Sequence, residues 1–271
     1  MPGPAGFRTV KASPLAYPPS LVSSAVLAPH GFFTRAGGVS AGPFASLNCS
    51  LSGQDDRDRV LENRARAARA IGADPAHLVG LTQVHGAQVV PVIAAWPPGA
   101  GPRADAMVTD RTDIALGIVT ADCAPVLFAD LSAGVVGAAH AGWRGAVAGV
   151  LEATIAAMEA LGATRAGIAA AVGPCIRQKS YEVAADLRHA VLAADLAHTK
   201  FFVPGQRDAR WQFDLAGYCV ARLAAAEIGG VDTIDADTHD DPERFFSHRR
   251  RTLAGGGPIG HQISVIALPS R

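Results

Sequence analysis

The middle of the chain alternates short β-branched runs with segments of helical spacing, and this alternation most constrains the fold. Ile114–Thr120, Val126–Ala129, Val135–Ala139 and Ile168–Val172 are apolar runs of strand length. Between them, Ala146–Leu161 carries Val147, Val150, Leu151, Ile155, Met158 and Leu161 on one broad helical face. Val183–Leu196 and Leu215–Ile228 repeat the helical pattern, and Val231–Ile234 and Ile263–Leu268 read as late strands. Strands that are apolar on both faces need cover on both, so the expected class is α/β, or mixed α+β, with mixed sheets covered by helices.

With 271 residues and 49% apolar content, the chain can bury a sizeable core in one domain spanning residues 1–271. Residues 1–20, rich in Pro and Gly, read as a loosely ordered N-terminal segment. Met1–Pro19 lacks the continuous apolar stretch of a signal peptide, and no run approaches bilayer length, so a cytoplasmic location is expected. The formal net charge is zero, which favours neither nucleic acid nor an anionic membrane as a partner. Four scattered cysteines do not make a disulfide framework.

One helix breaks the pattern. Across Asp58–Ile71, Asn63 and Arg64 fall on the same stripe as Val60, Ala67, Ala68 and Ile71. Either Arg64 snorkels outward, or it points into a site suited to a carboxylate or phosphate.

Three segments place a His or Cys beside Gly, Pro or Ala near strand-like runs: Thr82-Gln83-Val84-His85-Gly86, Thr120-Ala121-Asp122-Cys123-Ala124-Pro125 and Ala139-His140-Ala141-Gly142-Trp143-Arg144-Gly145. Two imidazoles and a thiolate form an open zinc set that leaves a fourth position free. The same residues also permit a metal-free reading, with Cys123 a nucleophile activated by a neighbouring His and Asp122 orienting the imidazole. A helix beginning near Ala146 with Arg144 beside it reads as an anion site, unless Arg144 packs over Trp143. Arg35 precedes a Gly pair, and Phe245–Arg251 is a basic run with two aromatics that reads as a solvated face or a cleft wall.

These blocks, with Phe33–Ser40, Ala104-Asp105-Ala106, Gly173–Ile176 and Phe245–Arg250, occur in the order of the YfiH/laccase-domain family and resemble its signature over nearly the whole chain. The resemblance implies zinc held by His85, Cys123 and His140, with copper as the alternative metal. It implies phosphorolysis of adenosine, inosine, guanosine and methylthioadenosine, together with deamination of adenosine. Its substrates would be a nucleoside and phosphate, and the chain a monomer or small homo-oligomer. Cys123, His140 and Asp122 are the catalytic candidates. Arg35, Arg64, Arg144 and Gln83 are the candidates for holding substrate and phosphate.

The chain departs from the family where Asp237-Thr238-His239 lacks a Cys, where His248 replaces an aromatic, and where Leu253–Gly257 follows the Arg run. Three other functions stand beside the main one: a polyphenol oxidase, a hydrolase editing peptidoglycan precursors, and a binding protein with a structural metal. The oxidase fits the residues poorly, since nine His include no His-x-His pair.

Overall fold

The computed structural model describes residues 17–269, so most of the segment expected to be loosely ordered lies outside the described residues. In chain order the first strands are β1 (Ser20–Leu21), β2 (His30–Phe33), β3 (Leu78–Val79), β4 (Val89–Pro91) and β5 (Ala106–Thr109). The central ones are β6 (Ala115–Thr120), β7 (Ala124–Asp130), β8 (Val135–Ala141) and β9 (Ala169–Val172). The last are β10 (Glu182–Val183), β11 (Phe202–Pro204), β12 (Trp211–Phe213), β13 (Gly230–Thr233) and β14 (Gln262–Ala267). The helices are α1 (Arg57–Ala70), α2 (Trp143–Ala148), α3 (Val150–Ala160), α4 (Ala185–Ala194), α5 (Leu215–Ala225) and α6 (His248–Leu253).

Two mixed sheets form the centre, one ordered β13-β9-β7-β8-β5-β4 and the other β1-β2-β14-β6-β3. A small antiparallel sheet, β10-β12-β11, stands apart from them. Side-chain alternation decides the layering. On β7, Val126 and Phe128 join a core with Ile155, Met158, Tyr218 and Leu223 from α3 and α5. The intervening Leu127 and Ala129 join Phe32, Leu116, Ile118 and Ile266 from the other sheet. On the far side of that second sheet, Phe33, Ile263 and Val265 pack with Ala67 and Ala68 of α1. The order is therefore helix, sheet, sheet, helix, the mixed α+β class the alternation implies. Both sheets are covered, which explains why their strands read as continuous apolar runs rather than alternating ones.

The single helix expected over Ala146–Leu161 is two. Gly149 adopts a left-handed conformation, φ 92°, between α2 and α3, a conformation glycine takes without steric cost. The start also moves: α2 begins at Trp143 with Gly142 as N-cap, so the Gly-Trp-Arg-Gly segment is the first turn of a helix rather than a turn before one. Val183 leaves the expected helix to pair with Trp211 in the small sheet. Among the described residues no helix is long and apolar enough to cross a membrane.

Register positions the site. In the β7–β8 pairing Ala124 faces Ala141 and Pro125 faces His140, which sets Cys123, one residue before β7, beside the end of β8. In the β5–β8 pairing Ala106 faces Ala139, and the His140 N–H donates to the Asp105 carbonyl at 2.7 Å. One end of this sheet thus carries Asp105, Cys123 and His140 side by side.

Candidate metal centre

Asp105 is fully buried and its carboxylate collects four donors. The backbone N–H groups of Val84, His85 and Gly86 donate to its oxygens at 3.2, 2.9 and 2.6 Å. The loop Val84–Gly86 is thereby folded around one anion, much as a backbone nest folds around a bound one. His85 sits in the left-handed region at φ 62°, a strain sustained by these bonds. The fourth partner is the His140 ring, whose Nδ1 lies 2.8 Å from Asp105 Oδ1. With Nδ1 engaged, Nε2 of His140 is left for a ligand, the usual arrangement of a carboxylate behind a metal-binding imidazole.

His85, Cys123 and His140 offer ligand atoms that all lie within 4.8 Å of one another, the one such group among the described residues. Cys123 Sγ is 3.9 Å from His85 Nε2; two ligands of a tetrahedral zinc stand about 3.5 Å apart. Gly142 completes the cradle. A Cβ there would lie 2.9 Å from His85 Cδ2 and 3.0 Å from Cys123 Sγ, so any side chain would push into the ligands. The electrostatics agree. Burial pushes the Cys123 thiol up, but His140 and His85 outweigh it and leave its pKa well below the ordinary thiol value. Burial pulls His140 down, and Cys123 and Asp105 more than reverse that. Burial likewise raises Asp105, and its bonds to His140 and the backbone hold it below the usual carboxylate range. A thiolate beside two imidazoles is a donor set suited to zinc. Cys175, the spare thiol, is buried outside this group, with its pKa pushed up to about 12 by burial.

The three donors open onto a cleft of about 570 Å³, inside the range of about 300–1,000 Å³ common to small-molecule sites. Trp143, Arg144, Tyr181, His248 and Arg249 form part of its wall, and Arg64, Thr120 and His261 another part. The basic run is therefore divided. His248 and Arg249 face the cleft, whereas Phe245 and Phe246 are buried and Arg250 donates to the carbonyls of Thr238 and His239 at 3.0 and 2.8 Å.

The candidates named from sequence separate on these coordinates. Arg64 does not snorkel; it is only 6% exposed and lines the cleft. Asn63 beside it is satisfied by Val39 N–H, Ser40 Oγ and the carbonyls of Ser46 and Asn48. Arg144 lies over the Trp143 ring at 4.4 Å and also lines the cleft. Gln83 reaches the cleft, but its amide pairs with the backbone of Val119 in both directions, at 2.8 and 3.0 Å. Arg35 stands outside. Its Nε and Nη1 donate to the carbonyls of Ala45 and Pro242 at 2.8 and 3.0 Å and its guanidinium lies over Phe246, tying Ala45 to the C-terminal segment away from the cleft lining.

Asp122 also differs from the expectation of a proton carrier or imidazole orienter. At φ 90°, it accepts from Thr238 Oγ1 at 2.7 Å, Ser247 Oγ at 3.0 Å and Arg249 N–H at 2.6 Å. Both oxygens are occupied in clamping the segment that carries His248 and Arg249. The imidazole is oriented by Asp105, to which the sequence reading gave no role. Its signal was present: an acid between two Ala, just before the apolar run Met107–Thr109, is a buried charge in need of partners.

Comparison with known proteins bears on the chain as a whole. Residues 29–269 match the family model described as multi-copper polyphenol oxidoreductase laccase. A purine nucleoside phosphorylase of Deinococcus radiodurans is 42% identical over 258 residues, covering 93% of this chain and 94% of that protein. The purine nucleoside phosphorylase YfiH of Escherichia coli is 38% identical over 224 residues, covering 82% and 88%. The crystal structure of the hypothetical protein YfiH of Bacillus licheniformis superposes with a TM-score of 0.81 at 30% identity, covering 89% and 92%. On fold, on sequence and on the extent of the match, the chain belongs to the YfiH/laccase-domain family.

Proposed function

We propose that this protein is a zinc-dependent purine nucleoside phosphorylase. It would convert adenosine, inosine, guanosine or methylthioadenosine with phosphate into the free base and a pentose 1-phosphate, with a second activity that deaminates adenosine. The observation carrying this reading is the cleft itself, where a three-donor cluster and the buried cation Arg64 share one wall system sized for a small molecule. The names of the relatives support the enzyme class.

In phosphorolysis, a phosphate oxygen bonds to the anomeric carbon while the bond to the purine nitrogen breaks. The bonding pair leaves with the purine, which then takes up a proton. His85, Cys123 and His140 would hold zinc, which when bound supplies Lewis acidity in the cleft. Asp105 fixes the His140 ring and the His85 loop, so neither has to reorganise during the reaction. Arg64 and Arg144 are the proposed phosphate-binding cations, and Arg35 is not among them because it does not line the cleft. Trp143 and Tyr181 offer flat apolar surface for a base. Asp122 would act by positioning His248 and Arg249.

Copper oxidation of phenols is the reading that the family model's description favours. A multi-copper site needs more donors than the one group of three found among the described residues. The deciding experiment is product analysis on adenosine with and without phosphate. Adenine released only with phosphate establishes phosphorolysis, and inosine without phosphate establishes deamination. Turnover of none of the four nucleosides by zinc-loaded protein overturns the proposal and moves attention to peptidoglycan precursors.

A further inference from the structure

The cleft is lined by one carboxylate and one carboxamide, Asp122 and Gln83. Both are spent. Asp122 accepts from Thr238, Ser247 and the Arg249 backbone N–H, and the Gln83 amide is paired with Val119 in both directions. Donors, by contrast, are in surplus on the aromatic wall. Arg144 and Arg249 lie over the Trp143 and Tyr181 rings at 4.4 and 5.3 Å. Among the described residues neither guanidinium pairs with a carboxylate. Arg249 donates from Nη1 to the Glu182 carbonyl at 2.7 Å, which leaves most of its five donors for the cleft.

His248 stands on the same wall, and a neighbour fixes its tautomer. Arg251 Nη2 lies 3.0 Å from His248 Nδ1. A guanidinium can only donate, so Nδ1 is the acceptor. Partial burial, and then the Arg251 charge, hold the ring's pKa below its ordinary value of 6.5. The imidazole is therefore neutral with its proton on Nε2, and the nitrogen left for the cleft is a donor. Arg251 is steadied in turn by the Gly257 carbonyl at 2.9 Å. The Asp122 clamp on the Arg249 backbone holds both side chains at this wall.

We propose that His248 Nε2–H and Arg249 read the edge of the base, and that the cleft prefers 6-oxopurines to 6-aminopurines. Hypoxanthine and guanine present two adjacent acceptors, N7 and O6, to a pair of donors. Adenine presents N7 beside an amine that donates, and that amine needs an acceptor. The two side chains best suited to supply one, Asp122 and Gln83, are already engaged. A donor facing a donor leaves both unpaired, which is how a polar site rejects the wrong ligand. The inference rests on the nucleoside reading above for placing a purine in the cleft, and narrows it to one substrate class.

The test is calorimetric titration of the metal-loaded full chain with hypoxanthine and with adenine, free bases that cannot undergo phosphorolysis. It compares wild type, His248→Phe, His248→Gln and Arg251→Met, beside kcat/KM for phosphorolysis of inosine and adenosine. Wild type should bind hypoxanthine about tenfold or more tighter than adenine. His248→Phe keeps a ring and removes the donor, so the ratio should fall severalfold. His248→Gln supplies a donor and an acceptor together, so adenine should bind tighter than it does to wild type. Arg251→Met frees the tautomer and should also lower the ratio, a change that a merely structural Arg251 would not cause. His248 is exposed, so its variants should fold and carry the test alone if Arg251→Met does not. Equal or reversed preference in wild type, a ratio unchanged in His248→Phe, or no binding of either base up to about 5 mM overturns the inference. A hypoxanthine preference that depends on His248, without phosphorolysis of any nucleoside, leaves the inference standing while the phosphorylase reading falls. Phosphorolysis of both nucleosides at equal kcat/KM, with equal affinity for the two bases, does the reverse.

Discussion

His140 Nδ1 lies 2.8 Å from Asp105 Oδ1, and the same carboxylate accepts the backbone N–H of His85. One buried acid thus fixes two of the three proposed metal ligands. Replacing it by Asn keeps the shape and removes the charge. We expect Asp105→Asn to weaken metal binding by about 10–100-fold and to cost about 3 kcal/mol of stability for breaking a buried pair. Competition against a chromophoric chelator and denaturant melts measure the two effects. Unchanged metal affinity would mean that Asp105 does not act through His140.

Gly142 gives a sharper steric test. Its φ of −65° is available to any residue, so the only change in Gly142→Ala is the added Cβ. That atom would crowd His85 and Cys123 at 2.9 and 3.0 Å. The variant should fold and lose most of its metal. Gly53→Ala, whose Cβ meets nothing closer than 4.0 Å, is the control and should retain it. Full metal content in both variants would place the metal elsewhere.

The two sheets and their helices were legible because burial on both faces leaves continuous apolar runs at strand length. The break at Gly149 was hidden, since Val147, Val150, Leu151 and Ile155 keep helical spacing across it. From the residues alone the ligand triad was open to reading as an open zinc set or as a Cys/His nucleophile pair near strand ends, and it was the family resemblance that implied the zinc set. What unites them is the pairing register of β7 with β8 and β5 with β8, and no local pattern encodes that. Arg35 and Arg64 looked alike as candidates. Their difference lies in where the fold takes them: to the carbonyls of Ala45 and Pro242 for one, to the cleft wall for the other. Asp122 shares this fault, because its partners Thr238 and Ser247 lie more than a hundred residues away.

Asp122 separates positioning from proton transfer. As a general acid or base its loss would lower kcat by about 10²–10⁴-fold with KM little changed. As the clamp described here, Asp122→Asn should chiefly raise KM and speed hydrogen exchange across residues 237–251. Steady-state kinetics with peptide-level exchange distinguishes the two. A collapse of kcat without added exchange would contradict the clamp.

His261 sets a pH dependence. Burial, with smaller contributions from His248, His140 and Arg251, lowers its pKa from 6.5 to about 4. Below about pH 6.5 the unfolded chain takes up a proton here, whereas the folded protein does not until about pH 4. Stability therefore falls as pH drops through that window, by about 3 kcal/mol in total from this residue. His261→Asn should flatten the loss between pH 6.5 and 4. Melting curves for the two proteins across that range check it, and identical slopes would show that His261 ionises freely in the fold.

The most direct test of the account ties activity to the metal. Chelator-stripped protein is reloaded in steps with zinc or with copper, and adenine release from adenosine and phosphate is measured at each occupancy, in wild type and in Cys123→Ala. The account predicts release proportional to zinc up to one ion per chain, consistent with His85–Cys123–His140 being the single such group among the described residues. It also predicts no quinol oxidation with copper, and neither metal retention nor activity in the variant. Full activity in stripped protein or in Cys123→Ala would contradict it.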